Sequence, residues 1–262
     1  MQAKAVKKLI FLLSILFLLI ILLGSYFLFQ PKDTENNPEV VSIEPQPLSK
    51  KQIKEPTEFD SLIVACQKNN KKLSNEGLYL CLAKTGKWRT NNLSLLTIKD
   101  SDGWSVAHYL VQNHKKWTTQ DLDVLKISNN EGYSVAHLMA KMQKSNSWHN
   151  YEILKIQNNK KWSVAHELAK HNKNWTTYNP LVLKLTSDDG YSVAHILAEG
   201  GKWFSNDVDI LKLKNSSLES VAHILASKHP TWTSINEEIL NLKTVYNLSV
   251  ADILQKRNKK TK

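Results

Sequence analysis

The stretch Gly103-Trp104-Ser105-Val106-Ala107-His108-Tyr109-Leu110-Val111 governs how the chain is read, because it does not occur only once. Its centre, Ser-Val-Ala-His-x-Leu, begins again at Ser134, Ser163, Ser192 and Ser220, with Met139 replacing the Leu in one copy. A decayed copy, Ser-Val-Ala-Asp, begins at Ser249. From Ser105 onward the starts are 29, 29, 29, 28 and 29 residues apart. Such a period marks an array of stacked units, not one core around a catalytic cleft. It turns the functional expectation toward binding.

Each unit reads as helix, loop, helix, turn. Ser is a good N-cap because its hydroxyl accepts from a free first-turn amide. Behind it, Val106 and Leu110 are four apart, as are Ala107 and Val111. This makes a broad apolar stripe with a small-residue edge that a neighbouring helix can approach. Trp88, Trp117, Trp148, Trp175, Trp203 and Trp232 mark a break after that helix. They read as packing wedges whose indole N–H reaches a carbonyl; a stacking platform for glycan or peptide is the other reading. Trp-Thr-Thr at 117–119 and 175–177, and Trp-Thr-Ser at 232–234, offer hydroxyls to cap a short second helix such as 121–127. An aliphatic residue stands seven before each Ser, and Asp102-Gly103, Glu131-Gly132 or Asp189-Gly190 closes the unit with a turn.

Before Ser105 a degenerate unit runs to Trp88, with Gly77 in the Ser register and Leu80 in the His register. Terminal repeats are atypical because one of their faces meets water. The few large apolar residues of one unit cannot offset the entropy of fixing its backbone, so units must cover one another's faces. The expected fold is all-α: an α-solenoid of about six to seven stacked helix-loop-helix repeats over residues 58–262.

The phrase Gly-x-Ser-Val-Ala-His-x-Leu-Ala resembles the ankyrin repeat signature Gly-x-Thr-Pro-Leu-His-x-Ala, most clearly at Gly103–Val111, Gly132–Ala140 and Gly190–Ala198. The resemblance spans roughly residues 77–262. It implies that the hydroxyl residue caps the first helix and that the His ties units together by hydrogen bonds. Those roles fall on Ser105 with His108, Ser134 with His137, Ser163 with His166, Ser192 with His195, and Ser220 with His223. The unit departs from the signature by being about four residues shorter than the usual 33. Val also replaces Pro throughout, and Trp occupies the inter-helix loop. The shortening leaves little room for a projecting hairpin between units.

Other chemistries fit poorly. Repeat-equivalent His residues should lie near 10 Å apart in a helix-on-helix stack, whereas zinc needs nitrogens at about 2.0–2.1 Å from one ion. His114, His149, His171 and His229 share no spacing. A Ser–His pair tiled five times is not a nucleophile site, and there is no Gly-rich phosphate loop or paired-Cys motif. No metal, no cofactor and no enzymatic activity are expected. The net charge is +11, with +9 of it after residue 57 and five basic residues among the last seven. Only Arg89 and Arg257 are Arg, and base and phosphate readers lean on the Arg fork. Nucleic acid is therefore not the expected partner. Lys126, Lys155, Lys184 and Lys212 recur in one register as a ladder, for an acidic partner or simply for solvent.

Residues 9–29 carry no charge and are mostly Leu, Ile and Phe. At ~1.5 Å per residue they reach about 31 Å, matching a bilayer core of roughly 30 Å. Lys4, Lys7 and Lys8 precede them, which places residues 1–8 in the cytoplasm and the rest outside. The expectation is a single-pass inner (plasma) membrane anchor with the repeat domain periplasmic or extracellular. A cleaved signal peptide is the alternative, although its apolar region should be only about 7–15 residues. Residues 30–57, with five Pro, form a linker. Cys66 and Cys81 would then lie in an oxidising compartment that permits a disulfide; two small buried hydrophobes are the alternative.

The function expected is a membrane-anchored interaction module, monomeric, that binds a protein partner through its repeats. The resemblance extends this to an immunity-type or envelope scaffold protein. The alternative is a structural or surface-binding protein whose Lys-rich faces hold anionic wall polymers or lipid groups. Binding residues in a solenoid sit at variable positions, so Tyr109, Leu138, Glu167, Ile196 and Ile224, just after each His, are the candidate partner contacts. Glu167 is the charged member of that set.

Overall fold

The computed structural model describes residues 57–69, 73–144, 148–201 and 203–260. The regions assigned above to the cytoplasmic end, the anchor and nearly all of the linker lie outside them. Among the described residues there is no strand, and no helix is long and apolar enough to cross a membrane.

After α1 (Glu58–Asn69), long and short helices alternate. The long ones are α2 (Asn75–Lys84), α4 (Val106–Asn113), α6 (Val135–Lys141), α8 (Val164–His171), α10 (Val193–Glu199), α12 (Val221–Lys228) and α14 (Val250–Lys260). The short ones are α3 (Leu93–Leu96), α5 (Leu122–Leu125), α7 (Tyr151–Leu154), α9 (Pro180–Leu183), α11 (Val208–Leu211) and α13 (Glu237–Leu240). Each long helix packs on the next long helix, and each short helix packs on the long helix that follows it. One continuous core results, running from Leu80 to Leu254. Val and Ala of the repeated phrase are fully buried in the five full copies, where the small Ala side chains let backbones approach.

The short helix is a single turn, tighter than the 121–127 segment expected, and its cap differs too. Asn92, Asp121, Asn150, Asn179, Asp207 and Asn236 are the N-caps, each accepting from an amide two residues on. The Thr or Ser two positions earlier holds the cap residue's own amide instead, as Thr119 does for Asp121 and Thr177 for Asn179. Asn and Asp win because a carboxyl or amide oxygen reaches the first-turn amides as well as a hydroxyl does, and the one-turn helix has no room to start earlier.

Two further registers shift. The first long helix is capped by Ser74, whose hydroxyl accepts from Gly77, so Gly77 lies inside the helix and not at its cap. Leu80 is buried where later units have His. Trp148 sits two places late: its carbonyl accepts from Trp175 Nε1, the role that Thr90, Thr177 and Ser205 play for Trp117, Trp203 and Trp232. The Trp-marked loops are thereby bonded to one another along one edge of the array.

The opposite edge, at the N-terminal ends of the long helices, is a row of tight turns. Each is closed by one antiparallel bridge, from Lys99–Ser105 to Lys243–Ser249. An Asx side chain organises most of them: Asp100, Asn129, Asn158 and Asn215 each accept from two amides of their own turn. Successive turns are joined by backbone bonds, Asn130 N–H to Asp102, Asn159 to Glu131, Asp188 to Lys160, Ser216 to Asp189 and Val245 to Ser217. The fourth turn position takes positive φ in every unit, through Gly103, Gly132, Lys161, Gly190, Leu218 and Asn247.

Cys66 and Cys81 are joined as a disulfide, which fastens α1 to α2. Cys66 is the buried residue of α1, whose Phe59 and Val64 are exposed.

Candidate functional site

The Ser–His pairs form one structural device repeated five times. In the first full unit Ser105 Oγ accepts from the His108 amide at 3.3 Å, and the Ser105 amide donates to His108 Nδ1 at 3.2 Å. This is a capping box in which His replaces the usual Glu. A backbone N–H can only donate, so Nδ1 must be an unprotonated acceptor. Nε2 therefore carries the hydrogen and donates to Tyr133 O of the next unit at 3.0 Å. His137, His166, His195 and His223 repeat the pattern, reaching the carbonyls of Trp162, Tyr191, Glu219 and Leu248.

All five imidazoles are fully buried. Burial pushes His108, His137, His166 and His195 down to about 4, against smaller upward pulls from the carbonyls they contact. His223 is lowered for the same reason. These His residues are neutral structural ties, and their Ser partners, equally buried, face no cavity as nucleophiles. In the decayed last copy Asp252 performs the local half of the job: its carboxylate accepts from the Ser249 amide and hydroxyl at 2.9 and 2.6 Å. Those bonds hold its carboxyl below the usual range. No unit follows it, and the Asp reaches none.

The positions expected to meet a partner are mostly inside. Leu138 is 6 % exposed, Glu167 7 %, Ile196 7 % and Ile224 3 %. An array helix is covered by neighbours on both sides, so its buried arc is wider than a single amphipathic stripe. Tyr109 is half-buried; its hydroxyl donates to Asp100 at 2.5 Å and its ring lies 4.4 Å from Lys84 Nζ. Glu167 accepts from the Tyr133 hydroxyl at 3.2 Å and lies 3.2 Å from His171 Nε2, an ion pair whenever that imidazole is protonated.

What stands over these residues is a row that sequence reasoning passed over. The residue before Ser is Trp104, Tyr133, Trp162 and Tyr191 in four consecutive units. Each ring is half-buried and tilts against the His of its own unit, with centroids 5.4, 5.0, 4.7 and 5.3 Å apart. The signal was available: the position is aromatic in four of the six units that follow a turn. These rings line hollows between the turn row and the long helices. One of ≈ 480 Å³ is bounded by Trp104, Tyr133, Glu131 and Lys141; another of ≈ 530 Å³ is bounded by Trp162, Glu167, Lys170 and Asp188. Lys170 Nζ lies 5.4 Å over the Trp162 ring. The groove thus has an aromatic floor, acids on its turn side and Lys on its helix side. Burial and a hydrogen bond to Glu199 raise Tyr191 to about 12, and burial likewise raises Tyr133, so both hydroxyls stay protonated donors.

Other singled-out features resolve into structure. The Trp-loop rings of Trp117, Trp175, Trp203 and Trp232 are buried, with Nε1 donating to the previous loop's backbone. In the Lys ladder, Lys184 pairs with Asp209 at 3.5 Å and Lys212 with Glu238, both one unit ahead, while Lys155 pairs with Glu152 at 2.7 Å. Arg257 of the basic tail donates to the carbonyls of Ala226, His229 and Trp232, closing the end of α12. No group of three or more metal-ligating side chains occurs among the described residues.

No family model matches the sequence, and no curated protein matches it significantly.

Proposed function

We propose that this chain is a membrane-anchored, ankyrin-like interaction module that acts by binding and not by catalysis. The anchor is residues 9–29, and the repeat unit is displayed outside the cytoplasm; the Cys66–Cys81 bond supports that placement, since oxidising compartments preserve disulfides. The partner is a protein that seats an extended segment in the groove. The observation that carries this is the row Trp104, Tyr133, Trp162, Tyr191, half-exposed and flanked by unlike charges. Rigid aromatics with a polar edge and charged rims are what protein recognition favours. The immunity-type or envelope-scaffold role is the form of such a module that the ankyrin resemblance favours.

The test is site-specific photo-crosslinking in the native membrane. A benzophenone side chain at Lys141 or Lys160, both exposed on the groove rim, should give a discrete adduct with a second protein. Adducts absent from both rim positions, yet formed from the Trp-loop edge, would sink the groove reading.

A further inference from the structure

The two long edges of the array differ in charge. The turns at 100–103, 129–132, 158–161, 187–190, 215–218 and 244–247 hold Asp100, Asp102, Glu131, Asp188 and Asp189 against only two Lys. The loops at 85–91, 114–120, 142–149, 172–178, 200–206 and 229–235 hold no Asp or Glu at all. Lys87, Arg89, Lys115, Lys116 and Lys173 are exposed there, and none joins an ion pair among the described residues. The nearest acids, Asp121 and Asp207, are engaged in capping α5 and α11. Part of the bias follows from helix dipoles, because the long helices end at this edge and favour cations there.

Dipoles do not explain the apolar tips on the same edge. Ile235 is 99 % exposed and Tyr178 70 %, both one residue before a short-helix cap, with Leu181 and Phe204 also exposed nearby. The loops are bonded to each other through their Trp side chains, so these tips stand on one continuous rim. Cations interleaved with protruding aliphatic and aromatic tips match the interface of an anionic bilayer. Basic groups there meet lipid phosphates, while Tyr and aliphatic tips enter the headgroup layer. A basic protein-binding patch would have no need of a fully exposed Ile.

We infer that the Trp-loop edge docks against an anionic phospholipid surface, laying the array on the membrane and turning the turn-side groove away from it. This is independent of the groove reading: either can fail without the other.

The test uses the full chain in vesicles. Because Cys66 and Cys81 are bonded to each other, Ile235→Cys introduces the one thiol to be labelled with an environment-sensitive fluorophore. In vesicles of 70 % phosphatidylcholine and 30 % phosphatidylglycerol, headgroup-level spin-labelled lipid should quench the label by about half, as a group within the headgroup layer requires. In pure phosphatidylcholine, or at 1 M salt, quenching should fall severalfold, because the Debye length shrinks to about 3 Å. Lys115→Glu/Lys116→Glu/Lys173→Glu should abolish it at low salt, and a label at Ser101→Cys on the turn edge should stay unquenched throughout. Quenching absent in phosphatidylglycerol vesicles, equal in both lipids, or equal at Ser101 and Ile235 would overturn the proposal. The first of these would leave the edge to a protein.

Discussion

Acidification should unlock the array through its His row. His108, His137, His166 and His195 sit at about 4 in the folded chain, against roughly 6.5 for an unfolded imidazole. The folded value is the depressed one, so the unfolded chain takes up protons first. The stability that these residues contribute is fully present above about 6.5 and is lost as pH falls from there through 4. Near pH 5 each His gives a difference of about 0.9 proton, or about 1.2 kcal/mol per pH unit, so four together give about 5 kcal/mol per pH unit. Summed over the window the loss is on the order of 10 kcal/mol, comparable to the 5–15 kcal/mol that holds a typical domain folded. Urea melts of the unit from Lys54 to Lys262, followed by circular dichroism at pH 7.5, 6.5, 5.5 and 5.0, measure it. Between pH 6.5 and 5 the midpoint should fall steeply. His166→Gln keeps an acceptor for the Ser163 amide, as in an ordinary capping box, but loses one titrating group. It should cost about 1–3 kcal/mol at pH 7.5 and flatten the slope by about 1.2 kcal/mol per pH unit. A midpoint unchanged from pH 7.5 to 5 would refute the argument, because it would mean that the imidazoles are not neutral acceptors at Nδ1. So would a His166→Gln slope equal to that of the parent.

Lys161 and Leu218 hold the positive-φ turn position at φ 54 and 55, where their neighbours use Gly. An L side chain pays roughly 1–2 kcal/mol there and Gly gives back about 0.5–1 in chain entropy. Lys161→Gly and Leu218→Gly should therefore each raise the thermal midpoint by a degree or two, which calorimetry resolves. Gly103→Ala should lower it, since a Cβ would lie 2.4 Å from Asn130 Oδ1 and 2.7 Å from its amide nitrogen. The Cys66–Cys81 bond closes a separation of 15 residues, worth roughly 3 kcal/mol to the segment that it ties. Cys66→Ser/Cys81→Ser should make α1 sensitive to brief proteolysis while the main unfolding transition of the later units stays in place; loss of the whole transition would show that α1 nucleates the array.

The all-helical repeat was legible because its signals are local. Ser before a helical stripe, His three places on and Gly at the turn each follow from one backbone geometry repeated at a fixed step. The misassigned caps show where local signals compete. Thr119 and Asp121 are both competent caps two residues apart, and only the three-dimensional path decides that Asp121 closes the helix while Thr119 holds the Asp121 amide. The slip at Trp148 was visible as a spacing, since it follows its Ser by 14 residues where Trp117, Trp175 and Trp232 follow theirs by 12. The burial of Leu138, Glu167, Ile196 and Ile224 was not visible. Periodicity gives the arc that one helix buries against one neighbour, whereas here a long helix meets two neighbours, a short helix and the ring ahead of its own Ser.

That ring separates what the repeat requires from what it leaves free. The inter-unit tie uses only the carbonyl of the residue before Ser, and Glu219 and Leu248 supply it as well as Tyr133, Trp162 and Tyr191 do. An aromatic side chain is therefore not needed for the hydrogen bond. It covers the neutral imidazole of its own unit with one face, and it offers the rest of the ring to the groove. His223 is preceded by Glu219 and has no such cover. The aromatic row accordingly couples stability to recognition: removing Trp162 uncovers His166 while also stripping the groove floor. A lost interaction in a Trp162→Ala protein reports on recognition only if its unfolding profile against pH is still that of the parent. Substitutions at the rim, where Lys141 and Lys160 touch no imidazole tie, test recognition without disturbing the row beneath.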